Sequence, residues 1–128
     1  MSIVKAFNSH FIEFIEDIQR VLPTDKNIKT VKFYTTQIIK LNPLLLIKSW
    51  GLWVVEPYAA QISSGDFTFF ISKDYKKDIG KSAHYNSDSV LNAIDLIRNE
   101  ASIMSEDNQK KIIKYVQNLS KLSNMYNA

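Results

Sequence analysis

Apolar residues recur at every third or fourth position over much of the chain, which is the spacing of an amphipathic helix. The clearest repeat occupies Ser2–Leu22 and is followed by Pro23, a residue that ends helices. A second repeat starts after Thr24 or Asp25, and both are good N-cap residues. The pattern predicts two amphipathic helices joined by a short turn. The apolar arc predicted for the second helix comprises Ile28, Val31, Tyr34, Ile38, Ile39 and Leu41.

The middle of the chain is apolar on nearly all sides. The stretch NPLLLIKSW begins at Asn42, which can cap a helix, and Pro43 suits the first helical position because no intrahelical bond is lost there. Pro57 is then expected to break or kink the path, and Gly65 to end it in the left-handed conformation. A helix that is apolar around its circumference is typical of a protein centre. We therefore predict that the segment with both tryptophans, Trp50 and Trp53, forms the middle of the core.

This aromatic segment has two further interpretations. Membrane crossing takes about 20 apolar residues, whereas residues 43–55 are fewer and include Lys48. No membrane span is therefore expected. The aromatic residues between positions 50 and 70 can instead line a ligand pocket or a partner-binding patch, and the sequence leaves both alternatives open.

Two more helices are predicted near the C-terminus. The first covers about residues 89–104, and the second follows Ser105, an N-cap residue. Residues 73–88 form a polar connection between the N-terminal helices and this C-terminal pair. The preceding stretch, DFTFFISKDY, has the composition of a strand, but one isolated strand would have nothing to pair with. A short helix is therefore favoured there.

Composition narrows the architecture to one helical domain. A chain of 128 residues has the size of a single domain, and 45% hydrophobic residues are enough for a packed core. The absence of cysteine excludes thiol catalysis, iron–sulfur clusters and cysteine zinc sites. We predict an all-α fold in which residues 1–128 form one compact domain of five or six helices around a buried aromatic central helix.

The sequence predicts no catalytic residue, no metal ligand and no cofactor. Phosphate-binding loops and nucleophile motifs built on glycine are absent, and the chain has three glycines in all. His84 lies in the polar connection, with no nucleophile or acid that the sequence associates with it. His10 precedes Glu13 and Asp17 on one helix, but a carboxylate–histidine metal site needs a second such set, which no other helix supplies. We therefore expect a protein that is not an enzyme.

Two lysine stripes give the strongest binding signal. On the second predicted helix the lysines share the arc opposite the apolar face, and a similar arc follows Asp107 on the last helix. An aromatic residue, Phe33, lies among the first set, and an aromatic side chain ringed by positive charge can anchor an interface. The candidate partner surface comprises Lys26, Lys29, Lys32, Phe33, Lys40, Lys110, Lys114 and Lys121.

Alternatives remain open for this surface. The lysines can form a solvated face, or the acidic residues of the first helix, such as Glu16, can neutralise one stripe across a helix pair. Phe33 can pack beneath the 73–88 connection. Nucleic acid is a weaker candidate partner, because the net charge is only +3 and arginines suited to reading bases are scarce. Any such contact would involve the phosphate backbone and would be sensitive to salt.

Four stretches stand out as a set: FNSHFIEFIEDI (Phe7–Ile18), NPLLLIKSW (Asn42–Trp50), SGDFTFFISKDY (Ser64–Tyr75) and MSEDNQKKIIKYVQNLSKL (Met104–Leu122). Together they resemble a family of short uncharacterised all-helical proteins encoded by nucleocytoplasmic large DNA viruses of algae and protists. The resemblance spans most of the chain, and the usage of lysine, isoleucine and asparagine fits an AT-rich genome. It implies a virus-encoded, virion-associated product, and it assigns a role to no residue.

The expected function is therefore a non-enzymatic structural or protein–protein interaction component. The N-terminus interleaves apolar and polar residues, unlike a signal peptide, so an intracellular location is expected, in the host cytoplasm or the virion. The expected partners are other proteins, such as capsid or virion components. The alternative is a basic accessory protein that contacts a nucleic-acid backbone.

Overall fold

A computed structural model of the protein describes residues 2–66 and 87–127. All regular structure within these two ranges is helical, which confirms the predicted all-α fold class. Residues 67–86 lie outside the description, and with them nearly all of DFTFFISKDY, most of the 73–88 connection and His84. The elements are α1 (Ile3–Val21), α2 (Lys26–Leu41), α3 (Leu45–Trp50), a π-helical segment (Gly51–Val55), α4 (Glu56–Ser64), α5 (Ser87–Ser102) and α6 (Glu106–Asn127).

Side-chain caps begin α1, α2 and α6, and those of α2 and α6 are residues that the sequence predicts. Ser2 caps α1, and the predicted limits of that helix hold to within one residue at each end. Asp25 caps α2 by accepting the backbone N–H groups of Asn27 at 2.8 Å and Ile28 at 3.1 Å. Ser105 accepts the backbone N–H of Asn108 at 3.3 Å and so caps α6. These contacts satisfy N–H groups that have no partner inside the helix.

Asn42 ends α2 and does not cap the next helix, so that prediction was wrong. Its N–H donates to the carbonyl of Ile38 at 2.8 Å, which makes it the C-cap of α2. Its own carbonyl accepts the N–H of Leu45 at 3.1 Å across a turn formed by Pro43 and Leu44. The residue before a proline is driven towards extended backbone, and that conformation suits either kind of cap. The sequence signals for the end of one helix and for the start of the next therefore coincide at Asn42. Because the turn follows Asn42, α3 begins at Leu45.

Pro57 disturbs the path through the core, as predicted. Before it lies the π-helical segment, in which the N–H of Glu56 donates to the carbonyl of Gly51. A proline ring clashes with the carbonyl four residues earlier in an α-helix, and a π-turn is one of the ways a helix accommodates it. Tyr58 completes the kink with a φ of −128°. The helical path therefore continues past Pro57 in a new direction.

Gly65 ends α4 in the left-handed conformation, which confirms the prediction. Its φ is +73°, a value that favours glycine because it has no Cβ. The N–H of Gly65 donates to the carbonyl of Ile62 at 3.1 Å, and the N–H of Asp66 donates to that of Gln61 at 3.0 Å. This pair of hydrogen bonds is the Schellman arrangement that closes many helices.

The core is built around Trp50, whose side chain is 1% exposed. The indole lies edge-on to Phe7 and Phe11, with ring centroids 6.3 and 5.9 Å away. Its N–H donates to the hydroxyl of Ser120 at 3.0 Å, and that hydroxyl donates to the carbonyl of Val116 at 2.7 Å. The prediction of a buried aromatic central helix is therefore confirmed at Trp50. The side chain of Trp53 lies outside the described part of the chain.

The longer helices surround α3. The central helix touches α1, α2, α5 and α6, and these four form a ring in which α1 contacts α2, α2 contacts α5, α5 contacts α6 and α6 contacts α1. In this arrangement α2 and α6 occupy opposite corners, with α1 between them. None of the helices in the described ranges combines the length and apolar content that a membrane crossing requires.

Replacing the central tryptophan tests this architecture. We expect Trp50→Ala to lower the free energy of unfolding by about 3–5 kcal/mol, because the cavity lies in close-packed surroundings. The exposed residue Leu52, which is 43% accessible, provides the control. Leu52→Ala should change the free energy of unfolding by less than about 1 kcal/mol. Urea denaturation followed by circular dichroism measures both values, and near-native stability of Trp50→Ala would contradict the proposed core.

Candidate functional site

The outer face of α2 carries exposed lysines. Lys26, Lys29 and Lys40 are exposed, and Lys32 is partly buried. The three exposed lysines lie opposite the buried positions of the helix, as the sequence pattern indicates, whereas Lys32 lies at the edge that faces α1. Within residues 2–66 and 87–127, no ion pair involves Lys26, Lys29 or Lys40. This face therefore carries three exposed positive charges.

Two aromatic rings lie exposed beside these lysines. Phe33 is 62% accessible and Tyr34 is 55% accessible. The rings meet edge to face, with centroids 5.8 Å apart. The alternative in which Phe33 packs beneath the 73–88 connection involves residues outside the description. The two rings and the lysines Lys26, Lys29, Lys32 and Lys40 are called the α2 face below.

Tyr34 and Leu41 are exposed, although the sequence pattern placed both in the apolar arc that faces the core. Leu41 is 85% accessible. The buried positions of α2 are Ile28, Val31 and Thr35. Tyr34 follows Val31 by three positions, which turns it about 60° away from that residue. The neighbouring helices cover a narrower arc than the apolar residues occupy, and Leu41 is the last residue of the helix.

A shallow depression lies between α2 and α1. Its volume is about 290 Å³. Phe33, Lys29 and Lys32 border it on α2, and Gln19 borders it on α1. The exposed ring of Phe33 therefore has a recess beside it with a cationic edge.

Cross-helix neutralisation occurs at one lysine of the α2 face. The ammonium of Lys32 lies 3.2 Å from a carboxylate oxygen of Glu16 on α1, and both side chains are partly exposed. Solvent screens such a pair, which contributes about 0.2–1 kcal/mol. The alternative in which the acids of α1 neutralise the stripe therefore holds for Lys32 among the described residues of the α2 face.

The second lysine stripe is separate from the first. Lys110, Lys114 and Lys121 are exposed on α6. Because α1 packs against both α2 and α6, it separates the two stripes, and its own outer residues include Glu13. The predicted partner surface thus divides into two patches, and Phe33 belongs to the one on α2.

His10 and the acids near it take part in side-chain contacts between α1 and α6. One ring nitrogen of His10 lies 3.3 Å from Glu13, and the ring packs 4.9 Å from that of Tyr115. Asp17 accepts the hydroxyl of Tyr115 and pairs with Arg20. Among the described residues, no three side chains are placed so that they could hold a metal ion.

Tyr115 is the residue of this contact that sequence patterns missed. It has helical spacing with apolar residues of α6, which predicts a core position and gives no sign of a polar partner. Burial raises the pKa of the Tyr115 hydroxyl, and the negative charge of Glu13 raises it further. The hydroxyl is therefore protonated at neutral pH and donates to Asp17.

A polar contact joins the start of α2 to the end of α5. The side-chain amide of Asn27 donates to Glu100 at 3.1 Å. A hydrogen bond with Asp25 raises the pKa of Glu100, with burial as a further cause, and the same bond lowers the pKa of Asp25. The neighbourhood of Asp25 therefore opposes the ionisation of Glu100.

Comparison of the chain with protein-family profiles, curated proteins and solved structures found no match. The chemistry of the α2 face is therefore the basis for its functional interpretation. That chemistry is two exposed aromatic rings, a recess beside one of them and three cations that form no ion pair with any residue of 2–66 or 87–127.

The paired carboxyl groups predict a pH-dependent effect of Glu100→Gln. The pKa of Glu100 is raised in the folded state. Its contribution to the stability of the fold is therefore present at acidic pH and is lost as the pH rises through the folded-state pKa. The pKa of Asp25 is lowered in the folded state. Its contribution to the stability of the fold is therefore present above the ordinary pKa of an aspartate and is lost as the pH falls through the folded-state pKa. An amide at position 100 keeps a donor for Asp25 and removes the like charge. The variant should therefore melt at a higher temperature than the parent at pH 7.

Melting curves at pH 7 and pH 4 test this effect. The advantage of Glu100→Gln should shrink at pH 4, because Glu100 then carries its proton in the parent protein. Glu106→Gln is the control, since it removes a carboxylate from the first turn of α6 and should lower the melting temperature slightly at pH 7. An advantage of Glu100→Gln that does not change with pH would contradict the raised pKa of Glu100.

Proposed function

We propose that the protein is a non-enzymatic interaction component that binds an acidic segment of another protein through the α2 face. The exposed pair of Phe33 and Tyr34 is the observation that carries this proposal. Exposed apolar patches rimmed by polar residues mark interaction sites, and aromatic side chains are frequent anchors of interfaces. More than half of the surface of each residue is accessible, so packing alone gives little reason for two aromatic residues there.

The charges beside the rings define the chemistry of the partner. Lys29 borders the recess next to Phe33 and has no ion pair among the described residues, and Lys26 and Lys40 extend the positive surface along α2. A short segment with one large apolar side chain and flanking carboxylates complements this arrangement. The apolar side chain would lie against Phe33, and the carboxylates would lie near the ammonium groups. Such complementarity raises the association rate and weakens as salt increases.

We propose that the protein is associated with a virus particle and that its partner is a virion component, met in the host cytoplasm or in the particle. The support for this assignment is the resemblance to short proteins of large DNA viruses, which spans most of the chain. Quantitative proteomics of purified particles tests it. Enrichment of the protein in particles supports the assignment, and its loss during purification would contradict it.

Single-stranded nucleic acid is the second candidate, and one observation favours it. Bases stack on exposed aromatic rings while lysines neutralise the phosphates, and Phe33, Tyr34 and Lys29 supply both kinds of group. The net charge of +3 is small for attracting a polyanion, however, and the second lysine stripe is separated from the first by α1. A protein segment is therefore the preferred partner.

Peptide binding tests the preferred partner. A labelled acidic peptide with one central tryptophan should bind with a measurable anisotropy change, and the same peptide with alanine in place of tryptophan should bind more weakly. Phe33→Ala should weaken binding by at least about tenfold, which is within the range for interface anchors. Leu52→Ala, a change at an exposed apolar residue of the π-helical segment, should leave the affinity unchanged.

Salt dependence separates the two candidates. If the partner is single-stranded nucleic acid, replacing Lys26, Lys29 and Lys40 by alanine should flatten the log–log salt slope by about two units, at about 0.7 per phosphate. We expect instead that a labelled oligonucleotide binds negligibly at physiological salt. Tight oligonucleotide binding at that salt, lost in Phe33→Ala, would overturn the preferred partner and favour the second candidate.

A further inference from the structure

A second recess lies on the other side of α1, apart from the α2 face. It has a volume of about 230 Å³ and opens between the C-terminal half of α1 and the first turns of α6. Apolar side chains of both helices form its walls, and charged side chains stand among them. The residues that carry the argument are Phe14, Ile112, Tyr115, Asp17, Arg20 and Lys111.

An aromatic wall is fixed on one side of this recess. The rings of Phe14 and Tyr115 stack with centroids 5.1 Å apart and planes inclined by 20°. Tyr115 is further held by its hydroxyl, which donates to Asp17. Two contacts of different kinds therefore keep the ring of Tyr115 in place. Phe14 is fully buried and supports that ring, while Tyr115 and the exposed side chain of Val21 line the recess.

The charged side chains that line the recess carry a net positive charge, which is located at Lys111. Asp17 accepts the Tyr115 hydroxyl and pairs with Arg20, so its negative charge is already compensated. Lys111 lines the recess, is exposed, and has no ion pair in the described parts of the chain. Asp17, Arg20 and Lys111 together carry one net positive charge. An anion near Lys111 therefore complements the recess, whereas a second cation does not.

Lys111 differs from the lysines of the α6 stripe. Its neighbour Lys110 belongs to that stripe with Lys114 and faces solvent, and neither of them lines the recess. Lys111 follows Lys110 by one position, which turns it about 100° around the helix towards α1. The adjacent pair therefore offers a matched comparison of a lysine that borders the recess with one that does not.

We propose that this recess binds a small monocarboxylate with a ring-sized apolar body, placed so that the ring lies against Tyr115 and Val21 and the carboxylate lies near Lys111. The size agrees with this class, because a cavity of about 150 Å³ accepts benzene, and the recess of about 230 Å³ leaves room for the acid group. Apolar walls with a few placed polar groups are the usual form of a small-molecule site. The proposal does not depend on the α2 face.

Binding of simple carboxylates tests this site on the full chain. Benzoate and cyclohexanecarboxylate should give saturable chemical-shift changes in amide resonances of α1 and α6. Acetate, which lacks the apolar body, and benzylamine, which has the opposite charge, should bind at least about tenfold more weakly. Comparable affinities for benzoate and benzylamine would overturn the assignment of the charge, and an absence of saturable changes with either carboxylate would overturn the site.

Substitutions test whether Lys111 supplies the positive charge of the site and whether the recess is where the ligand binds. Lys111→Ala should weaken benzoate binding about tenfold, while Lys111→Arg keeps it within about twofold. Lys110→Ala is the control and should leave binding unchanged; equal losses in the two alanine variants would contradict a specific role of Lys111. Val21, which is 42% accessible and lines the recess, allows the cavity to be filled. Val21→Trp should abolish benzoate binding at unchanged melting temperature, and retained binding would overturn the proposal.

Discussion

The burial of one indole ring determines how the helices meet. An unpaired donor in an apolar interior costs about 1–3 kcal/mol, so the N–H of Trp50 requires an acceptor. Ser120 supplies it at 3.0 Å, and its hydroxyl in turn donates a hydrogen bond to the carbonyl of Val116. Because Trp50 lies on α3, Ser120 lies on α6 and the ring packs against Phe7 of α1, this one residue positions three helices relative to each other.

A central α3 leaves each outer helix with one face to bury and one to expose. On α2 the buried face is narrow, since Ile28, Val31 and Thr35 alone are fully buried among its described residues. Ile38 and Ile39 pack against the core while partly exposed, and among the described residues the opposite side of the helix carries no core contact that its side chains must keep. The exposure of Phe33 and Tyr34 on that free surface is therefore more informative about function than any buried aromatic residue is.

Local chemistry explains which features of the fold the sequence predicts. Caps such as Asp25 and the left-handed Gly65 involve neighbours within a few positions, so composition and spacing identify them. The exposure of Tyr34 depends on how widely other helices cover α2, which no local pattern records. The hydrogen bond from Tyr115 to Asp17 joins residues 98 positions apart, and helical spacing alone makes Tyr115 resemble an apolar core residue.

The same distinction applies to the candidate sites. The lysine stripe on α2 and the unusual position of Phe33 are visible in the sequence, because helical spacing places them on one arc. The division of the lysines into two patches follows from the position of α1, which is a property of the tertiary fold. The recess at Lys111 is likewise formed only when α1 and α6 pack together, and nothing in the spacing of Lys110 and Lys111 distinguishes their roles.

Site-specific photo-crosslinking tests most directly whether the α2 face is a binding surface. A photoreactive phenylalanine analogue would be placed at position 33 in cells that produce the protein, and at position 52 as the exposed control. We predict one protein adduct of defined mass from position 33, carrying an acidic segment at the crosslinked site, and no such adduct from position 52. No adduct from position 33, or the same adducts from both positions, would contradict the account.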